Sequence, residues 1–269
     1  MNASDPLKKV HPLYNLIKTK ALEHYQPLCE LSVDERMVKS KARTHFRQYL
    51  PKKLIKWGFK YWVVADPTGY TLDFNLYCGR RCISPISENG LTYDVIMDLT
   101  ESFQFQGYFV FFDNFYTSPT LLHFLKERGI GATGTLTTNR RGVPESVVQL
   151  KNALNRSDVP RGTGYYIRDT DDVYVCWRDK KCVTVLSNVY PGHSDVSVSR
   201  RGRNHQSGEY ETMDLPLPSP IEHYNRFMGG VDMVLSDQLI SYHRILRQTK
   251  KYWKTLLIYW KSASPMQLY

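Results

Sequence analysis

Gly107-Tyr108-Phe109-Val110-Phe111-Phe112-Asp113-Asn114-Phe115-Tyr116-Thr117-Ser118-Pro119 is the stretch that decides how this chain folds. Its unbroken apolar run, Tyr108 to Phe112, has the pattern of a strand buried on both faces. The run stops at Asp113, so the backbone delivers a carboxylate to the rim of a sheet. Ser118 can then cap a helix with Pro119 in its first turn, Leu121, Leu122 and Leu125 on its buried side and Gly129 at its end. Residues 130–137 read as the next strand. Strand, helix and strand in succession belong to a mixed α/β domain with a central sheet.

Working outward, residues 61–66 and 70–77 predict a hairpin across Pro67-Thr68-Gly69. In its second strand Tyr70, Leu72, Phe74 and Leu76 alternate with Thr71, Asp73 and Asn75, the period of a half-buried strand. Residues 92–103 change to a helical period carried by Val95, Ile96, Leu99 and Phe103. Further upstream, 13–26 reads as a helix stopped by Pro27, and Leu28–Asp34 as a short strand with Leu31 and Val33 facing the core. Downstream, 164–168, 173–177 and 181–188 are strand-like, and Pro191–Pro220 reads as a polar loop holding Arg200, Arg201 and Arg203. Helical pattern returns over Ser236–Arg247, before an aromatic segment from Tyr252 to Trp260.

The 269 residues are 42% hydrophobic and 13% aromatic, enough for a sizeable core, and carry a net charge of +10. No tract approaches the roughly 20 apolar residues of a membrane span, and Met1-Asn2-Ala3-Ser4-Asp5 lacks a secretory core, so an intracellular protein is expected. The charge is concentrated. Arg36, Lys39, Lys41, Arg43, Arg47, Lys52, Lys53, Lys56 and Lys60 are accompanied by Glu35 as the only acid of that segment. A polyanion is the natural partner, either nucleic acid or an anionic membrane surface, with a solvated basic face as the plain alternative. Cys29, Cys78, Cys82, Cys176 and Cys182 form no CxxC pair, which argues against a zinc finger and a disulfide framework and for buried thiols.

Cleaving a phosphodiester needs an activated nucleophile and a stabilised leaving oxygen, both of which two divalent ions about 4 Å apart supply. Acids at sheet edges are the natural ligands for such ions. Asp113 is the best placed, with an Asx-turn role as its alternative. Asp34 ends the first expected strand, where it either binds a cation or offsets Arg36 and Lys39. Asp232 follows Gly229-Gly230-Val231, whose glycines permit a close backbone approach, and Asp237 stands in the first turn of the next helix, where an acid also suits the helix dipole.

Four blocks then resemble one family. Phe112-Asp113-Asn114-Phe115-Tyr116-Thr117-Ser118 is similar to the DN(F/W)(F/Y)TS signature of piggyBac transposases. Gly134-Thr135 with Asn139-Arg140-Arg141-Gly142-Val143-Pro144, Val33-Asp34-Glu35 with Lys41-Ala42-Arg43, and Tyr224-Asn225-Arg226-Phe227-Met228-Gly229-Gly230-Val231-Asp232 are similar to its other blocks, in family order. The resemblance implies an RNase H-like mixed-sheet catalytic core interrupted by a β-rich insertion, with C-terminal helices. The implied division is 1–27 as the end of an upstream helical region, 28–145 as the first part of the core, 146–222 as the insertion with its polar loop, 223–248 as the second part of the core and 249–269 as a C-terminal aromatic and basic segment.

It further implies catalytic Asp34, Asp113 and Asp232, binding two Mg2+ or Mn2+ ions with Asp237 as an additional ligand. Double-stranded DNA, cut and pasted at TTAA targets, is the implied partner. No membrane and no small-molecule substrate are expected, the nucleus is the compartment, and the full-length family forms homodimers. Lys41, Arg43, Lys52, Lys53, Lys56, Arg140 and Arg141 are the expected phosphate contacts, and Tyr252 and Trp253 the candidates for base stacking or core packing. Three departures stand out. Asp232 and Asp237 are five residues apart where the family has three, a slip that turns a helix by roughly 200°. Ala42 replaces a usual glycine. The family's upstream region and C-terminal cysteine-rich domain have no counterpart, so a truncated core is expected, with a domesticated, inactive DNA- or protein-binding relative as the alternative.

Overall fold

The computed structural model describes residues 7–8, 11–51, 53–79, 86–203 and 210–233. The chain divides into two compact units, residues 1–104 with 227–269, and residues 105–226.

In the first unit β3 (Trp57–Ala65) is the central strand. Along one edge runs β1 (Glu30–Lys39), antiparallel, from Ser32 opposite Ala65 to Lys39 opposite Gly58. On the other edge β2 (Arg47–Tyr49) pairs with the start of β3, and β4 (Thr71–Leu76) with its end. The β3–β4 hairpin is the expected one. Its turn is held by the buried Asp66, whose Oδ1 accepts from the N–H groups of Thr68 at 3.0 Å and Tyr70 at 3.2 Å, while Gly69 takes a φ of 89°. Helix α1 (His11–His24) docks on β4: the Tyr14 hydroxyl donates to the Phe74 carbonyl at 2.9 Å and accepts from the Leu76 N–H at 2.8 Å. Lys18 reaches Asp73 at 2.7 Å and Asn75 at 2.9 Å. Burial pushes the Asp73 carboxyl above its ordinary range, and the Lys18 ammonium works against that shift.

β1 differs from its expected span. It runs through Asp34 to Lys39 rather than ending at the acid, because the guanidinium of Arg36, which would otherwise stop a buried strand, has partners inside the fold. Leu31 and Val33 are buried as the alternation predicts. Helix α2 (Leu91–Leu99) is shorter than expected and is followed by a 3-10 turn, Glu101–Phe103. The break falls at Thr100, whose hydroxyl back-bonds to the Ile96 carbonyl at 2.7 Å. Val95, Ile96, Leu99 and Phe103 are buried on either side of it.

The second unit has a mixed sheet in the order β5 (Phe109–Phe112), β6 (Gly131–Thr135), β9 (Cys182–Ser187), β8 (Asp172–Arg178) and β7 (Gly164–Asp169). Only β5 and β6 are parallel, and α3 (Pro119–Glu127) is the crossover that parallel strands require. The cap is as predicted: Ser118 Oγ accepts from the Leu121 N–H at 3.2 Å, and Gly129 ends the helix at φ 68°. Helix α4 (Glu145–Leu154) packs on β8 and β9 and buries Val147 and Leu154.

The described parts of the stretch expected as a polar loop contain two strands. β10 (Ser197–Arg203) and β11 (Tyr210–Pro216) form an antiparallel ribbon, and α5 (Ser219–Phe227) follows. Val198, Met213 and Leu215 give the ribbon one apolar face, packed with Val175, Trp177 and Ile221. Four hydrophobic residues in fourteen, one of them the exposed Tyr210, are too few to read as strands without that neighbour. Cys78, Cys176 and Cys182 are buried free thiols, whereas Cys29 is exposed and Cys82 lies outside the described residues. Among the described residues no helix is long and apolar enough to cross a membrane.

At the β7–β8 turn Asp169 faces Asp172 directly, with Asp171 beside them. Burial first, then the Asp169 charge, raises the Asp172 carboxyl from 3.8 to about 6, against Lys126 and His123. The raised value belongs to the folded state, so the unfolded chain releases this proton first. The group's favourable contribution is therefore full below about pH 4 and is lost as pH rises to about 6. Thermal melts of Asp172→Asn are expected to show a higher Tm than the parent near pH 7, with the gap closing below about pH 4. A gap that stayed constant with pH would mean that Asp172 is not the titrating group.

Candidate active site

β5 ends at Phe112, so Asp113 stands directly past the strand. Its carbonyl accepts from the N–H groups of Tyr116 and Thr117, each at 3.2 Å, and from the Thr117 hydroxyl at 2.8 Å. Its Oδ1 accepts from the Phe115 N–H at 2.9 Å. The residue is thus both a rim carboxylate and an Asx-turn acid. Gly134, opposite Phe112 on β6, makes the turn possible: a Cβ there would lie 2.2 Å from Thr117 Oγ1 and 2.7 Å from the Phe112 carbonyl oxygen. Arg140 closes the far side of the turn by donating to the carbonyls of Asn114, at 2.9 Å, and Phe115.

In the first unit Ser32, Asp34 and Arg36 occupy alternate positions of β1 and share a face. Across that face lies a short helix, α6 (Gly230–Met233). Two contacts hold it there. A Cβ on Gly230 would meet the Asp66 carbonyl oxygen at 2.4 Å and Ser32 Oγ at 2.7 Å, so only glycine fits. Arg36, 1% exposed, donates from Nη2 to the Val231 carbonyl at 2.8 Å and from Nη1 to Thr71 Oγ1 at 2.7 Å. The helix is therefore gripped at the strand positions flanking Asp34. Asp232, its third residue, is exposed, whereas Asp34 is half-buried. Lys53 Nζ lies 3.7 Å from Asp34 Oδ2 and donates to the Glu35 carbonyl at 3.3 Å.

Asp34, Asp113 and Asp232 are hard oxygen donors of the kind that Mg2+ and Mn2+ take. The Lys53 ammonium beside Asp34 is a cation already drawn to that carboxylate, so the donor chemistry fits a divalent ion. Among the described residues, no three His, Cys, Asp or Glu side chains are grouped closely enough to hold one ion. Asp34 and Asp232 belong to the first unit and Asp113 to the second, and Asp237 lies outside the described residues.

Of the expected phosphate contacts, Lys41, Arg43, Lys56 and Arg141 are exposed, and Lys53 is half-buried against Asp34. Arg140 holds the Asp113 turn, and Lys52, Tyr252 and Trp253 lie outside the described residues. Sequence reading does not single out Arg36, Ser32 or Gly134 as positioning residues, whereas the close backbone approach expected of the glycines before Asp232 is found at Gly230. The period-two spacing of 32, 34 and 36 becomes meaningful only once α6 lies across it.

The family described as Transposase IS4 matches residues 1–264. The human PiggyBac transposable element-derived protein 3 is 31% identical over 262 residues, covering 95% of this chain and 42% of that protein. The human PiggyBac transposable element-derived protein 2 is 26% identical over 265 residues, covering 96% and 43%. A cryo-EM structure of a piggyBac transposase synaptic complex with hairpin DNA superposes with a TM-score of 0.69 at 24% identity, over 96% of this chain and 49% of that one. That likeness is one of fold and agrees with the RNase H-like expectation. The chain spans less than half the length of each of these proteins.

Arg36→Met keeps most of the stem volume but leaves the Val231 carbonyl and Thr71 hydroxyl without their donor. Equilibrium urea denaturation should show a loss of about 1–3 kcal/mol, with Arg36→Lys, which lacks the fork that reaches both oxygens, only partly restoring it. An unchanged midpoint would show that α6 is held by other contacts.

Proposed function

This chain belongs to the piggyBac-type Transposase IS4 family, and on that premise we propose that it is a metal-dependent core for cleavage and strand transfer of DNA at transposon ends. What supports this most is the family match over residues 1–264, a span that includes Asp34, Asp113 and Asp232, the residues that the sequence resemblance suggests for the site. In this reading the three aspartates, with Asp237, hold two Mg2+ or Mn2+ ions. Such ions, when bound, supply an activated oxygen nucleophile and neutralise charge on the leaving oxygen.

The chain's own residues supply position. Arg36 and Gly230 fix α6, and with it the Asp232 backbone, across the face of β1 that bears Asp34. The Gly134–Thr117 contact and Arg140 fix the turn that bears Asp113. Lys41, Arg43, Lys52, Lys53, Lys56, Arg140 and Arg141 hold backbone phosphates of a duplex, setting its register without reading its sequence. The solved neighbour is a synaptic complex with hairpin DNA, and duplex DNA is accordingly the proposed partner. Water attacks the phosphorus at the element end and expels the 3′-oxygen as a free 3′-hydroxyl. That hydroxyl attacks a phosphodiester of the opposite strand to form a hairpin, expelling the flanking strand as a 3′-hydroxyl. A second water reopens the hairpin, and the 3′-hydroxyl so regenerated attacks target DNA at TTAA, where a 3′-oxygen of the target leaves. The nucleus as compartment and a homodimer as working form belong to the same proposal.

One observation favours a second reading, a domesticated and silent DNA binder. The five-residue step from Asp232 to Asp237 replaces the family's three and turns the second acid by roughly 200° on a continuous helix.

The two readings separate on duplexes ending in TTAA-containing hairpins, incubated with Mg2+ or Mn2+. Cleavage by the parent chain, reduced at least about 100-fold in Asp113→Asn, is the result expected of a two-ion site. Asparagine keeps the side-chain oxygen that accepts from the Phe115 N–H, so the variant should fold as the parent does. Salt-sensitive binding with no cleavage under either ion would establish the silent binder. Absence of DNA binding at low salt would overturn both.

A further inference from the structure

The edge of the first unit carries an aromatic stack that the proposed chemistry does not use. Tyr49 stands opposite Trp57 across the β2–β3 pair, and Arg47 stands opposite Phe59. Strand alternation puts Arg47 and Tyr49 on one face. Phe59 on that face is buried in the core, but the stack turns outward from there: Tyr49 is 50% exposed and Trp57 49% exposed. Their ring centroids lie 4.6 Å apart at 32°, and the Arg47 guanidinium carbon lies 4.5 Å from the Trp57 centroid. Between the two strands Leu54 is 88% exposed. Elsewhere in this unit Tyr14, Phe46, Tyr61 and Phe74 are all buried, so the fold does not lack room for aromatic rings in its interior.

The surroundings name the occupant. No acid occurs between Arg36 and Lys60, and Lys39, Lys41, Arg43 and Lys56 on that segment are exposed. Glu35, the acid adjoining this segment in sequence, is paired with Lys60 at 2.6 Å. The fitting ligand is flat, presents an apolar π-face and carries negative charge within one residue's reach. An intact duplex offers the charge but hides its base faces in the stack, and an anionic lipid surface offers no plane. A nucleotide with an unpaired base offers both.

We propose that Tyr49, Trp57 and Arg47 form a stacking platform for an unpaired nucleobase of bound DNA, with the neighbouring cations holding its phosphates. The base lies against the open aromatic surface, and the Arg47 guanidinium, already in cation–π contact, extends the plane and reaches a phosphate oxygen. This rests on the reading of the chain as a DNA-binding protein and adds a discrimination that phosphate contacts lack: a preference for disrupted or single-stranded ends over continuous duplex.

The test uses the full chain with Trp57→Leu, Trp57→Phe and Tyr49→Ser, against fluorescein-labelled oligo-dT, a duplex of equal length and a duplex bearing one overhanging 2-aminopurine. Trp57→Leu should weaken oligo-dT binding by about 5- to 150-fold while duplex affinity stays within about 2-fold, and Trp57→Phe should recover most of the loss. The overhanging 2-aminopurine should be quenched by the parent and by Trp57→Phe but not by Trp57→Leu. Equal losses on oligo-dT and duplex, or no loss on either, would overturn the platform while leaving duplex binding intact as a property of the chain. A concentration-dependent dimer broken by Trp57→Leu, without an effect on oligo-dT, would assign the stack to self-association and overturn it too. Failure of the parent to bind any of the three DNAs would remove the DNA reading itself.

Discussion

A single buried guanidinium organises the first unit. Arg36 lies on β1, takes an oxygen from Thr71 on β4 and another from the backbone of Val231, and is almost fully removed from water. Burying such a charge is costly, so the arrangement is selective: both terminal nitrogens meet an oxygen only when three segments far apart in sequence assemble together. The Val231 carbonyl is 195 residues from Arg36. Its capture brings the returning chain back over the face from which Asp34 projects. The location of two of the three aspartates therefore follows from a hydrogen bond that involves neither carboxylate.

What was legible beforehand was whatever short-range rules determine. The β3–β4 hairpin, the buried β5 strand, the Ser118 cap and the glycine that ends α3 all depend on neighbours within a few residues, and they appear where the sequence puts them. The misreadings share the opposite property. β1 continues past Asp34 because of Thr71 and Val231, and the β10–β11 ribbon forms because Trp177 and its neighbours cover Val198 and Met213. At the site, the aspartates themselves were legible through their motif context. Of the residues that hold them in place, only Gly230 was, through the glycine pair before Asp232; Ser32, Arg36 and Gly134 have no signature until the surfaces they touch are known.

The basic segment is not a uniform electrostatic coat. Arg36 is consumed by the interior and Lys60 by Glu35, while Lys53 lies 3.7 Å from Asp34 and Arg47 stacks on Trp57 without losing its charge. Lys39, Lys41, Arg43 and Lys56 remain directed to solvent. A formal charge count over the segment thus overstates what a polyanion would meet, and long-range attraction there is weaker and more sharply located than the composition alone indicates.

The squeezed contacts of Gly134 and Gly230 bear on how descent is to be traced in this lineage. Each glycine answers to the bulk of a neighbour, one to Thr117 and Phe112, the other to Asp66 and Ser32. Thr117 answers in turn to the carbonyl of Asp113. A descendant that had stopped moving DNA would still have to keep these letters merely to stay folded. Packing alone therefore requires these letters in this chain, whatever chemistry it performs. The exposed carboxyl of Asp232, and the difference between acid and amide at position 113, are the characters that decay would erase first.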